Sequence, residues 1–165
     1  MIWPIHSLGI VKTLILKIVD FFYYPYYNIG MTKTEQSYFN AAKSISKLSD
    51  HRCKIGCVVV KSHKIISSGH NSQIKHHAKQ ARVDKEYFND PKALGPVHAE
   101  FDALNYLINQ HIDTNGAHLY VYRALQNGEV AIARPCPRCM ALIKSCGIRK
   151  IHYTGNQSFV REDLG

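Results

Sequence analysis

The sequence predicts an α/β protein, a layered arrangement around a mixed β-sheet. Three observations lead there. Elements follow one another as helix, strand, strand, helix, strand, helix, strand. The strand segments are short and rich in β-branched residues. The chain has 165 residues, 45% apolar and 20% charged, which suits one globular domain with its own core.

The elements read in order. Thr34 caps a first helix carrying Tyr38, Phe39, Ala42, Ile45 and Leu48 at helical spacing, which ends near Ser49-Asp50. Ile55 to Val60 reads as a buried strand, Lys61 to Lys64 as a turn, and Ile65 to Gly69 as the returning strand. Residues 70–96 are polar, rich in His and Lys, and read as a long functional loop. Val97 to Gln110 is helical in pattern, and Ala117 to Tyr122 alternates as a strand. A turn surrounds Asn127-Gly128, and Ala131-Ile132-Ala133 is ambiguous. Pro137 to Cys146 is a helix stopped by Gly147, and Ile148 to Tyr153 is a strand. The domain is expected over 31–160, with 161–165 as a frayed tail.

Residues 1–30 stand apart as an apolar extension. Lys12, Lys17 and Asp20 interrupt the run from Leu8 to Phe22, which excludes a transmembrane span of roughly 20 uncharged residues. A charged start and a small-residue cleavage site, the marks of a signal peptide, are missing. The segment reads as an interfacial helix, as a partner-packing element, or as no part of the working protein. The last is preferred, because Met31-Thr32-Lys33-Thr34-Glu35 resembles a natural start.

A formal net charge of +9 suits anionic partners (nucleotides, nucleic acid or a membrane) and equally a solvated basic surface. Five Cys, two of them in a C-x-x-C pair, argue for a metal site in a reducing, cytoplasmic compartment rather than a disulfide framework.

The chemistry concentrates in His98-Ala99-Glu100 and Pro135-Cys136-Pro137-Arg138-Cys139. Together they match the H-x-E…P-C-x-x-C arrangement of zinc deaminases, a pattern far more specific than either half. Cys136 and Cys139 are three residues apart at a helix start, so their sulfurs converge, and the helix N-terminus favours thiolates. His98 supplies a neutral ring nitrogen. Three protein ligands leave the fourth zinc position open, the catalytic arrangement. Glu100, two residues past His98, reaches that position without being a ligand and serves as the proton carrier. Cys57 and Cys146 read as core residues.

With these residues the chain resembles the cytidine and deoxycytidylate deaminase superfamily over about residues 34–155. Lys54 to Val60, Ser68-Gly69-His70-Asn71 and Gly147 to Tyr153 are similar to its first strand, the end of its second and the strand after its Cys helix. The resemblance implies a three-layer, cytidine-deaminase-like fold, a five-stranded mixed sheet flanked by helices. It also implies zinc as the cofactor, a homo-oligomer, and Asn71 against the substrate sugar. Ala99, beside the ligand His98, and Arg134, before the Cys motif, join Asn71 as expected substrate contacts. The long loop before His98 is similar to the deoxycytidylate branch. In that branch the insert helps form the substrate site, where His76, His77, Lys79 and Arg82 could bind phosphate. In some of its members insert residues also bind a second, structural zinc, for which His70, His76 and His77 are the candidates, and whether one exists here stays open. Phe101-Asp102 and the long lead-in from Arg123 to Arg134 depart from it and leave substrate choice open. Arg123 and Arg134 are each placed to meet phosphate or solvent.

The expected function is zinc-dependent hydrolysis of a cytosine nucleotide, dCMP to dUMP, with release of ammonia. The alternatives are a deaminase acting on cytosine or adenine in single-stranded nucleic acid or tRNA, and a zinc-stabilised binding protein without catalysis.

Overall fold

The computed structural model describes residues 30–75, 85, 96–156 and 158–165. Five strands, β1 (Lys54–Lys61), β2 (Lys64–His70), β3 (His118–Ala124), β4 (Lys150–Thr154) and β5 (Phe159–Asp163), form one sheet in the order β2-β1-β3-β4-β5. β3 and β4 run parallel, and every other neighbouring pair is antiparallel. The helices are α1 (Lys33–Ser46), α2 (Ala99–Asn109) and α3 (Pro137–Ser145). The five-stranded mixed sheet flanked by helices is the expected fold class. The chain divides into Met1–Gly30 and Met31–Gly165, and all these elements belong to the second unit.

The period-2 geometry of β1 and β3 sorts the core into two layers. Val58, Val60, Tyr120 and Tyr122 face α1, where Tyr38, Phe39 and Ala42 cover them. Cys57, Val59, Leu119 and Val121 face the other way and pack with Phe101, Leu104 and Leu107 of α2 and Ile143 of α3. Each of these larger side chains is nearly or fully buried, and each such burial contributes about 1.5–3 kcal/mol. Gly56 lets α1 approach: a Cβ there would lie 2.0 Å from the Ala42 carbonyl oxygen.

Most boundaries shift by a residue or two, and three differences have a specific cause. The cap of α1 is Thr32, not Thr34. Thr32 Oγ1 accepts from Glu35 N at 3.1 Å, and Glu35 Oε2 accepts from Thr32 N at 2.9 Å, a reciprocal pair that Thr34 lacks. α1 also ends at Ser46, short of Ser49. Of the tail expected to fray at 161–165, residues 161–163 are instead the second half of an edge strand. It carries Arg161, Glu162 and Asp163, and the first two are paired. Arg161 donates to Glu35 from Nε and Nη2 at 2.9 and 2.8 Å, and Glu162 receives Arg134. Charged residues on an edge strand also block further strand pairing.

The Lys61–Lys64 turn is a tight hairpin with Ser62 and His63 at φ 49° and 62°, the left-handed pair that a two-residue loop requires. The lead-in to the Cys motif folds back on itself through the Ala124–Val130 bridge, with Gly128 at φ 84°. Among the described residues no helix is long and apolar enough to cross a membrane. The readings of residues 1–29, and those resting on His76, His77, Lys79 and Arg82, fall outside the described residues.

Candidate active site

Two helix N-termini meet to build the site. His98 is the N-cap of α2 and Cys136 the N-cap of α3, both with extended backbone, and neither side chain caps its own helix. Pro137 occupies the first helical position of α3, where its fixed φ suits helix entry and no N–H is lost. Cys139 follows within the first turn.

Close contact with β2 sets the position of α2. A Cβ on Gly69 would lie 2.3 Å from Ala103 N and 2.5 Å from Ala99 O, so only glycine admits the helix here. Ser67 Oγ donates to Ala103 O at 2.6 Å, and Asp102 accepts from His70 N at 3.1 Å. Asp102, a departure from the expected pattern, thus ties the helix that carries His98 to the strand beside it.

His98 Nδ1 lies 3.6 Å from Cys136 Sγ and 3.3 Å from Cys139 Sγ. The three donor atoms fall within 4.8 Å of one another. A tetrahedral zinc with Zn–N of about 2.0 Å and Zn–S of about 2.3 Å holds nitrogen and sulfur about 3.6 Å apart. The set therefore fits a metal, with chemistry suited to zinc. Among the described residues these three are the whole cluster, which leaves a fourth coordination position for water or substrate. Cys57 is not part of it: fully buried in the core, its thiol is held protonated by desolvation and by the charges of Glu100 and Asp102.

Hydrogen bonding from Cys139 and then from His98 outweighs burial and pulls the Cys136 thiol down to about 3. Its partner Cys139 is pushed up by the same hydrogen bond and by burial. The pairing thus favours the thiolate on one sulfur, the form that binds metal. Glu100 lies beside them, 5% exposed, and its carboxylate accepts a hydrogen bond from Cys139. Burial raises the Glu100 pKa above the ordinary carboxylate value, as suits a group that takes and returns protons near neutrality.

A cavity of about 220 Å³ opens onto the site, lined by His98, Glu100 and Cys136 and by Asn71, Arg123 and Arg134. A larger hollow of about 730 Å³ lies on the α1 face around Tyr120 and His152, across the sheet from these ligands. Chemistry rather than size locates the site.

The other expected site residues divide. Asn71 lines the cavity, but its Oδ1 accepts from Ile55 N and its Nδ2 donates to Cys53 O, both at 2.8 Å. It pins the entry to β1 and keeps one amide hydrogen beyond that bond. Ala99 is fully buried against the core. Its N–H is among the first-turn donors that have no intrahelical acceptor. Arg134 borders the cavity with its guanidinium committed to Glu162, at 2.9 Å from Nε and 2.6 Å from Nη2. His70 is turned to Asp102, with Nδ1 3.7 Å from Oδ2. His51, Ile132 and Ala133 also line the cavity. Sequence reading missed His51, since no spacing pattern connects it to His98, 47 positions later.

The sequence comparisons agree with this geometry. Residues 32–154 match the cytidine and deoxycytidylate deaminase zinc-binding region. No curated protein matches the chain. Among solved structures, cytidine deaminase from Burkholderia pseudomallei is similar with TM-score 0.58 and 15% identity, covering 82% of this chain and 94% of its own. The dCMP deaminase of cyanophage S-TIM5, in apo form, is similar with TM-score 0.53 and 23% identity, covering 76% and 86%. At these identities the likeness is one of fold, and the family match carries the assignment. The chain is an enzyme that belongs to the cytidine and deoxycytidylate deaminase family, and its His98, Cys136 and Cys139 are positioned to bind that family's metal.

Proposed function

We propose that the protein hydrolyses the 4-amino group of a cytosine nucleotide, converting dCMP and water to dUMP and ammonia. The observation that carries this reading is the buried Glu100 carboxylate beside a three-ligand metal set in an accessible cavity. Zinc, when held by His98, Cys136 and Cys139, supplies the Lewis acidity that makes water a nucleophile near neutral pH. Glu100 takes the proton of the attacking water and gives it to N3 of the base. It takes the remaining hydroxyl proton as the C4–N bond breaks and passes it to the departing amine, which leaves as ammonia. The Ala99 N–H and the spare amide hydrogen of Asn71 are offered as orienting donors for base and sugar. Arg134, fixed by Glu162, walls the cavity.

The choice of dCMP draws support from the cyanophage S-TIM5 enzyme, which has been crystallised with dCMP and dUMP. The net charge of +9 favours a second reading, deamination within single-stranded nucleic acid. Thiolate ligands need reduced cysteines, which accords with a cytoplasmic setting. Assembly into a homo-oligomer is part of the same proposal. The test is ammonia release by the zinc-loaded full chain from equal concentrations of dCMP, cytidine and a C-containing oligonucleotide. Release from dCMP above the others is expected. Release from the oligonucleotide alone would establish the second reading, and release from none would refute both.

A further inference from the structure

We infer that Arg123 is the phosphate anchor of this cavity, so that the substrate enters carrying a phosphate. This rests on the deaminase reading above and names the substrate class it takes.

Two arginines line the cavity, and among the described residues only one has an uncompensated charge. Arg134 is paired with Glu162 through two N–H donors. Arg123 has no such partner among the described residues. It leaves β3 on the same face as Val121, toward α2 and α3, and lines the cavity. Nη1 donates to the Ile132 carbonyl at 3.2 Å and Nη2 to Cys53 Sγ at 3.6 Å. Its Nε is buried and has no hydrogen-bond partner among the described residues. No described carboxylate pairs with it. A partly buried cation facing a neutral carbonyl and a thiol is costly unless an anion joins it.

The geometry selects the anion. The planar guanidinium fork matches phosphate, and Nε with an Nη edge forms a bidentate pair. His51 lies on the same cavity. Its Nδ1 accepts from Cys53 N at 3.0 Å, so the neutral ring carries its proton on Nε2 and offers a second donor. Glu100 lines the cavity as well. A phosphate on Arg123 thus lets one ligand be held at its charged end while its base meets Glu100. The phosphate is either the monoester of a free nucleotide or a diester in a single strand.

The test reads binding, not turnover. dUMP, deoxyuridine, inorganic phosphate and a short single-stranded oligonucleotide without terminal phosphate are titrated calorimetrically into the full chain. The same titrations are made with Arg123→Gln and Arg123→Lys. Wild type is expected to bind a phosphate-bearing ligand about 10- to 100-fold more tightly than deoxyuridine, as one charge-assisted pair provides. Arg123→Gln should erase that preference and leave deoxyuridine binding unchanged, and Arg123→Lys should restore part of it. Loss confined to dUMP and inorganic phosphate identifies a free nucleotide, and loss confined to the oligonucleotide identifies a strand. Equal loss for deoxyuridine and dUMP in both variants, or no phosphate preference in wild type, would overturn the anchor. An anchor that survives in a chain releasing no ammonia from dCMP would refute the reaction alone. Ammonia release from dCMP with dUMP affinity unchanged in Arg123→Gln would refute the anchor alone.

Discussion

Cys139 Sγ lies 3.3 Å from His98 Nδ1 although 41 positions separate the two residues. Their meeting requires that α2 and α3 start side by side on one face of the sheet. Everything that holds those helix starts in place therefore acts on metal binding.

The first expectation concerns the ligands themselves. Cys136→Ser and His98→Ala each remove one of three donors, and the remaining two hold zinc weakly. Zinc measured by atomic absorption should fall from stoichiometric to near background. The thermal midpoint should fall with it, because a metal bound only by the folded state stabilises that state. Stoichiometric zinc in either variant would contradict the ligand set.

Gly69 is the most exacting point of the support. A methyl group there meets the α2 backbone at 2.3 Å, and backbone cannot swing aside as a side chain can. Gly69→Ala is expected to cost at least about 1–3 kcal/mol of stability. It should also weaken zinc binding, because α2 carries His98. Urea unfolding of the zinc-loaded protein and a competitive chelator titration measure the two effects. An unchanged denaturation midpoint would show that α2 does not pack as described.

The pH dependence follows from Glu35 and His152. Hydrogen bonds from Arg161 and Thr32 outweigh the opposing effect of burial and hold the Glu35 carboxyl at about 2, against an ordinary 4.5. Its folded pKa is below its unfolded one, so its contribution is complete above about 4.5 and fades as pH falls toward 2. Burial, and then the charge of His118, lowers His152 from 6.5 to about 4. The unfolded chain therefore takes up that proton first, and stability also falls with pH between 6.5 and 4. The midpoint difference between wild type and Glu35→Gln should be largest near neutrality and shrink below about pH 4.5. Metal loss at low pH affects both proteins and cancels in the difference. A gap that widens on acidification would reverse the sign and refute the account.

The parts of this molecule legible in sequence were those written in short-range patterns. His98-Ala99-Glu100 and Cys136 to Cys139 each lie within one helical turn, so spacing alone placed their side chains together. β1 and β3 announced themselves through runs such as Cys57 to Val60. β5 did not, because Arg161, Glu162 and Asp163 look like a solvated tail until Arg161 is seen to donate to Glu35 and Glu162 to accept from Arg134. The choice between Thr32 and Thr34 turned on the reciprocal bond with Glu35. Neither the pairing of Arg134 with Glu162 nor the lack of a described carboxylate for Arg123 has a local signature. Both depend on which strands become neighbours. Asn71 was expected near the site and lines the cavity, while its hold on Cys53 and Ile55 was not legible.

The most direct test of the central claim is ammonia release from dCMP by the zinc-loaded full chain, compared with Glu100→Gln. The substitution keeps shape and removes the proton carrier. Zinc content and thermal midpoint should stay at the wild-type level while turnover falls by about 10²- to 10⁴-fold. Turnover within a few-fold of wild type, with zinc still bound, would contradict the role of Glu100 and the mechanism built on it.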